Sequence, residues 1–247
     1  MTTMTNSRLQ DEVKIKYQIP TLAPLHGAFV DGRYLSLIDC KYVRDDDTGK
    51  PILKFSIGIA NIGSGPLHII LGEQQKDPNG TIVAPGIQRL FCDDGSYKEE
   101  DVGLFERHEH NIFGHIHIHW HYRGLASLDL VDHNGKVIGS SRKPGYCLAD
   151  SFKHSDLPGS PPHRVFRPAG CEEKTEVGLS IGWADYYDFA ADNEIEIENI
   201  PTGEYKLQFT INETKMIYEI SEPQIIEVKI DHENEKACAK RPDGWPC

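Results

Sequence analysis

No window of this 247-residue sequence approaches the roughly 18 uncharged apolar residues that a membrane-spanning helix needs. The opening stretch, MTTMTNSRLQDEVKIKY, lacks the apolar core of a secretory leader. Cysteines at CxxC spacing are missing, so zinc held by cysteine is not expected. There is no internal repeat and no convincing amphipathic helix. Basic residues are in deficit: 26 Lys and Arg against 38 Asp and Glu leave a net charge of −12. That balance argues against nucleic acid or an anionic membrane as partner. It suits a cationic ligand, and equally a soluble protein with no charged partner.

The length fits one large domain or two small ones, and a hydrophobic fraction of 38% is enough for a core. Of the six cysteines, Cys238 and Cys247 lie in the tail ACAKRPDGWPC. An even count hints at disulfides and an oxidising compartment, whereas the missing leader points the other way.

Strand signals recur along the chain. They cover Leu35–Tyr42, Ile52–Ala60, Leu67–Leu71, Gly86–Cys92, Gly114–Val131, Lys136–Ser140, Glu194–Ile200, Glu204–Asn212 and Ile225–Ile230. The Ile52–Ala60 run breaks at Asn61-Ile-Gly-Ser-Gly-Pro66. Turns such as His133-Asn-Gly135 and Pro201-Thr-Gly203 separate other runs. Glu194-Ile-Glu-Ile-Glu198 reads as a strand with one wet face. Many short strands between turns predict an all-β, antiparallel β-sandwich with long functional loops. The expected organisation is an irregular arm over 1–30, the sandwich over 31–231, and a polar cysteine-bearing tail over 232–247. Residues 76–86 and 150–176 read as long loops, the second rich in Pro, Gly, Ser and His.

The outstanding feature is His115-Ile-His-Ile-His-Trp-His121. Side chains alternate across a strand, so His115, His117, His119 and His121 share one face, with Ile116, Ile118 and Trp120 on the other. Such a row suits a metal better than a surface row or hydrogen-bonded core histidines. The first and fourth Cα of a strand this long lie about 20 Å apart, too far for four rings to meet one ion. Three consecutive members span about 13 Å and can converge. The expected set is three ligands and one bystander. His108 and His110 in ERHEHN are expected to contribute nothing. Three imidazoles accept Cu(II), Zn or Fe, and ligand chemistry leaves copper and zinc close to even.

Further along stand Leu128-Asp-Leu-Val-Asp132, Arg142-Lys-Pro-Gly-Tyr-Cys-Leu148, Ile181-Gly-Trp-Ala-Asp-Tyr-Tyr187 and Ile197-Glu-Asn-Ile-Pro-Thr-Gly-Glu-Tyr-Lys-Leu207. With the histidine run and Asn61-Ile-Gly-Ser-Gly-Pro-Leu67, this order resembles the catalytic domain of the lysyl oxidase family from about Leu35 to Ile230. It looks most like the microbial members, in which His-x-His-Trp-His is usual. The resemblance implies a copper amine oxidase with a built-in quinone. His117, His119 and His121 match the Cu(II) ligands, leaving His115 as bystander. Lys143 and Tyr187 match the pair that becomes lysine tyrosylquinone, with Tyr186 the alternative if the alignment slips by one. Cys147 matches a family cysteine, with Cys171 its expected partner. The implied partners are O2 and a primary amine or lysine-containing protein, and the family and cysteines favour a secreted or cell-surface location. Two motifs depart from the family: Trp183 follows Gly182 where animal members have cysteine, and Met216-Ile-Tyr-Glu-Ile-Ser221 stands in place of Asp-Tyr-x-Asn-Asn.

The chemistry explains these residue types. Oxidising an amine to an aldehyde needs a two-electron acceptor, which no unmodified side chain provides. A lysine can add to an oxidised tyrosine ring only when its amine is deprotonated. Asp185, two residues before Tyr187, is the candidate general base; the competing roles are orienting a histidine or capping a turn. The alternative function is a non-enzymatic copper- or zinc-binding sandwich, with an adhesion or assembly module as a third reading.

Overall fold

The structure, a computed structural model, describes residues 17–25, 27–30, 33–36, 39–112, 115–122, 124–141, 145–167, 176–189, 193–241 and 243–247. For 27–30, 33–36, 110–112 and 115–117 it describes the backbone alone. Among these residues there is no helix. The strands run in order β1 (Tyr17–Gln18), β2 (Leu22–Pro24), β3 (Gly27–Val30), β4 (Arg33–Ser36), β5 (Cys40–Arg44), β6 (Pro51–Phe55) and β7 (Ile57–Asn61). Next come β8 (Leu67–Leu71), β9 (Gln75–Lys76), β10 (Ile82–Cys92), β11 (Tyr97–Ile112), β12 (His115–Tyr122), β13 (Ala126–Val131) and β14 (Val137–Ser140). The last are β15 (Phe152–Lys153), β16 (Glu176–Leu179), β17 (Trp183–Tyr187), β18 (Glu194–Glu196), β19 (Gly203–Ile211), β20 (Gln224–Asp231) and β21 (Lys236–Ala239).

Five antiparallel sheets result. The largest has the order β12-β11-β10-β8-β16, with β1 and β9 also on β10. The others are β14-β13-β19-β20-β21, β15-β17-β7-β2, β18-β6-β5 and the hairpin β3-β4. The first four of these turn apolar faces onto one continuous core. Leu207, Phe209 and Ile211 of β19 meet Ile226, Val228 and Ile230 of β20, while Phe105, Trp120 and Tyr122 enter from the largest sheet. This is the sandwich-like, all-β packing that the alternating pattern predicts. The wet face of β18 is also as expected: Glu194 pairs with Lys54, and Lys50 bridges Glu196 and Glu198.

The structure corrects several boundaries. Ile52–Ala60 is two strands in two sheets, because the chain turns its corner at Ser56. That residue is buried, and its backbone N–H and hydroxyl are both bonded to Asp39. Within the expected arm, Tyr17–Gln18 and Leu22–Pro24 are strands, and Leu22 is buried in the core. Residues 76–86 form a hairpin: Asp77 caps it by accepting from the Asn79 and Thr81 amides, both at 2.9 Å. Pro85 disguised that strand, since proline cannot donate to a ladder; it sits where the β10–β11 register shifts. The longest strand, β11, escaped notice because it is charge-rich and alternates poorly. The tail joins the sandwich through β21, and Cys238 is disulfide-bonded to Cys247. Residues 154–167 form a long loop, as expected.

The Asn61 side chain makes four hydrogen bonds that hold the Asn61–Pro66 turn. Asn61 donates to the Gly65 and Leu179 carbonyls (2.9 and 3.0 Å) and accepts from the Thr21 and Gly63 amides (3.2 and 3.0 Å). Gly63 and Gly65 are required because a Cβ on either would lie 2.2 and 2.1 Å from backbone atoms of Thr21 and Gln18. Asn61→Ala should leave these buried groups without partners and cost about 3–5 kcal/mol. A lower denaturant midpoint at unchanged slope would register the loss.

Candidate functional site

Antiparallel register places two strands' polar residues on one face. His119 lies opposite His108, His121 opposite Glu106, and His117 opposite His110. The His119 and His121 rings stand 6.0 Å apart and nearly parallel, at 16°. The His108 ring stacks on His121 at 4.6 Å, with its Nε2 3.8 Å from the Glu106 carboxylate. His121 and Glu106 are buried, at 6% and 9% exposure. On the other face Trp120 packs into the core, as the alternation predicts. His108, expected to contribute nothing, lies on this same face beside His121 and Glu106. Its signal was the i, i+2 spacing of Glu106, His108 and His110, masked by the charged neighbours Arg107 and Glu109. The side chain of His117 and all of Lys143 lie outside the described residues. Among the described residues no group of three or more His, Cys, Asp or Glu gathers at one point. The donor chemistry of the face, neighbouring imidazoles with a carboxylate behind them, still suits Cu(II) or Zn.

The segment after position 144 pairs with the Tyr122 end of β12. The Tyr122 amide donates to the Tyr146 carbonyl at 3.0 Å. Gly145 is pressed so tightly that a Cβ would lie 2.9 Å from that of His121. Only glycine fits there. Tyr146 is buried, with its hydroxyl on Asn193 at 3.1 Å. Cys147 is disulfide-bonded, and its expected partner Cys171 lies outside the described residues.

Tyr187 approaches the same segment from β17. Its hydroxyl donates to the Cys147 carbonyl, and its ring meets Tyr146 edge-on at 5.1 Å. Asp185 shares that face of β17, being two residues away. It accepts from the Ala149 and Tyr186 amides (3.2 and 2.9 Å) and from the Ser151 hydroxyl, and it lies beside the Tyr187 hydroxyl. Tyr186 points to the opposite face, beside Leu25, Ala60 and Phe152. Burial pushes the Asp185 carboxyl up to about 7, against the pull of the hydrogen bonds it accepts. Burial, then the neighbouring Asp185, raises the Tyr187 hydroxyl well above its ordinary value.

A sequence model of the lysyl oxidase family matches residues 95–240, more than half of the chain. The chain belongs to the lysyl oxidase family. No curated protein matches it. The family region takes in β11 through β21, but β7 and β2, which complete the sheet holding Tyr187, come from the sequence before it. In this lysyl oxidase domain the histidine strand and β17 belong to different sheets, and residues 145–151 join them.

The raised Asp185 pKa has a testable sign. Between pH 3.8 and about 7 the folded chain keeps a proton that the unfolded carboxyl has lost, so this group's contribution to stability falls as pH rises through that window. Asp185→Asn cannot ionise. The stability of this variant minus that of the parent should therefore rise by roughly 2–4 kcal/mol from pH 4 to pH 7. Urea titrations of both chains at the two pH values give the difference; a flat difference would contradict the assignment.

Proposed function

We propose that the protein is a copper-dependent amine oxidase in which Lys143 and Tyr187 form lysine tyrosylquinone. One observation carries most of the weight: a single buried segment is bonded to Tyr122 beside His121 at one end and to Tyr187 at the other. Lys143 precedes Tyr146 by three residues in the sequence, and the Tyr146 ring meets that of Tyr187. His117, His119 and His121 would hold the copper. When bound, copper and the quinone supply the redox chemistry: oxidation of the tyrosine ring, then acceptance of two electrons from the amine.

The protein's own groups do the rest. The Cys147 carbonyl and Tyr146 ring fix the orientation of Tyr187. This face, rather than that of Tyr186, is the one that meets residues 146–149, which supports Tyr187 as the cofactor tyrosine. Asp185, with a carboxyl near pH 7, is poised to take the α-proton of the amine as general base. The overall reaction converts a primary amine, O2 and water into an aldehyde, ammonia and hydrogen peroxide. Peptidyl lysine is one substrate of this class. The family and the cysteine usage favour a secreted or cell-surface protein.

Incubation with Cu(II) in air, followed by intact-mass and tryptic mass spectrometry, tests this directly. A peptide joining the Lys143 and Tyr187 segments is expected, together with peroxide release on adding amines. Separate, unmodified peptides from copper-loaded protein would instead favour a metal-binding sandwich without the oxidase. His119→Ala should abolish copper loading and the cross-link together; full loading in that variant would show the ligand set to be wrong.

A further inference from the structure

A cleft of about 990 Å3 opens between the Asn61–Pro66 turn, the Phe91–Gly95 end of the β10–β11 hairpin and the 157–166 loop. None of His119, His121, Asp185 or Tyr187 lines it. Its wall is aromatic. The His68 ring stacks on Phe91 with centroids 6.0 Å apart, and meets Phe166 edge-on at 5.3 Å. Ile181 and Leu157 add aliphatic surface, while Ile62 and Val165, 45% and 57% exposed, stand at the mouth. Two carboxylates line it, Asp93 and Glu176, and no Lys or Arg does among the described residues. Glu176 faces His68 at 3.6 Å. Burial, and after it the Arg89 charge, hold the His68 pKa below its ordinary value against the pull of Glu176.

The wall is fixed before any ligand arrives. Asp150 is fully buried and accepts from the Val165 and Phe166 amides (2.9 and 3.1 Å) and from both the amide and hydroxyl of Ser180, each at 2.8 Å. The Trp183 indole pins the same loop by donating to the Pro161 carbonyl at 3.0 Å. A preformed, mainly apolar cleft with a few convergent polar groups is the usual form of a small-molecule site. Rings flanked by carboxylates select a cation with an apolar body.

We propose that this cleft binds a small organic ammonium carrying an aromatic or branched apolar group, at a site separate from Tyr187. The apolar body lies against Phe91, Phe166 and Ile181, and the ammonium sits by Glu176 and Asp93. The inference rests on the cleft alone and holds whether or not Tyr187 becomes a cofactor.

Cys92 provides the readout. It is free, half-buried and part of the cleft lining, whereas the other free cysteine described, Cys40, is buried. Alkylation of Cys92 by iodoacetamide would be followed by peptide mass spectrometry in the Tyr187→Phe chain, which cannot make the quinone. Rising concentrations of 2-phenylethylammonium should slow the reaction. The neutral analogue 2-phenylethanol should need about five times the concentration for equal protection, the contribution expected of a cation beside rings and carboxylates. Glu176→Gln alters a half-exposed side chain and should erase the gap between amine and alcohol while leaving the fold intact. Equal protection by both compounds would reduce the cleft to a neutral apolar crevice and overturn the proposal. So would no protection by either, or protection only by a lysine-bearing peptide, which would mark a peptide-docking groove instead.

Discussion

Residues 145–151 are a stretch of almost strandless backbone buried in the middle of a β-protein, and the site depends on how their polar groups are satisfied. A buried amide or carbonyl without a partner is costly, so an irregular segment can cross a core only if neighbouring strands supply every bond. Here the donors and acceptors come from opposite directions. Tyr122 takes the Tyr146 carbonyl, Tyr187 takes that of Cys147, Gly178 takes that of Leu148, and Asp185 accepts from Ala149. Asp150 and Ser151 continue the pattern toward Ser180 and Ala184. Each bond that lets the segment stay buried also fixes one strand relative to another. The spacing between the histidine strand and β17 is thus set by hydrogen-bond satisfaction, not by a direct pairing of the two strands.

The same burial produces the electrostatics. Asp185 is only 5% exposed, so water cannot stabilise its charged form and its pKa rises to about 7 in spite of the hydrogen bonds it accepts. A carboxyl made to hold this segment in place is thereby brought to the pH range in which a general base is useful. Accepting from Ala149 and Ser151 places Asp185 among buried groups, and that burial raises its pKa.

Much of this was legible in the chain. Period-two alternation marks β12 and its two faces, and the i, i+2 spacing of Asp185 and Tyr187 puts them on one side of a strand whatever the sheet. The glycines of Asn61-Ile-Gly-Ser-Gly-Pro66 signal a break, and the break exists. What escaped notice depends on non-local contacts. Nothing near Ser56 says that one apolar run will serve two sheets, because the corner is made by Asp39, seventeen residues earlier. Asp150 looks like any loop acid until Val165, Phe166 and Ser180 are seen to point at it. The strand β11 hides because its polar residues continue the polar face of β12, so its charged composition imitates a loop.

That pairing also bears on what the histidine row is for. A row of imidazoles kept only for solubility would face water along its length. Instead, at the Tyr122 end, both sides of β12 are covered: Trp120 is in the core on one side, and His121 is buried beside Glu106 on the other. Placing an imidazole and a carboxylate together out of water costs free energy unless their polar atoms gain strong partners. A metal ligand is one of the few roles that gains from such a setting, since a carboxylate behind a ligating histidine fixes its tautomer and raises its basicity. Glu106 stands where that support would come from, on the adjacent strand and in register with the most buried histidine described. The geometry of β11 is therefore as much a part of the candidate metal face as the alternating histidines that first draw attention to it.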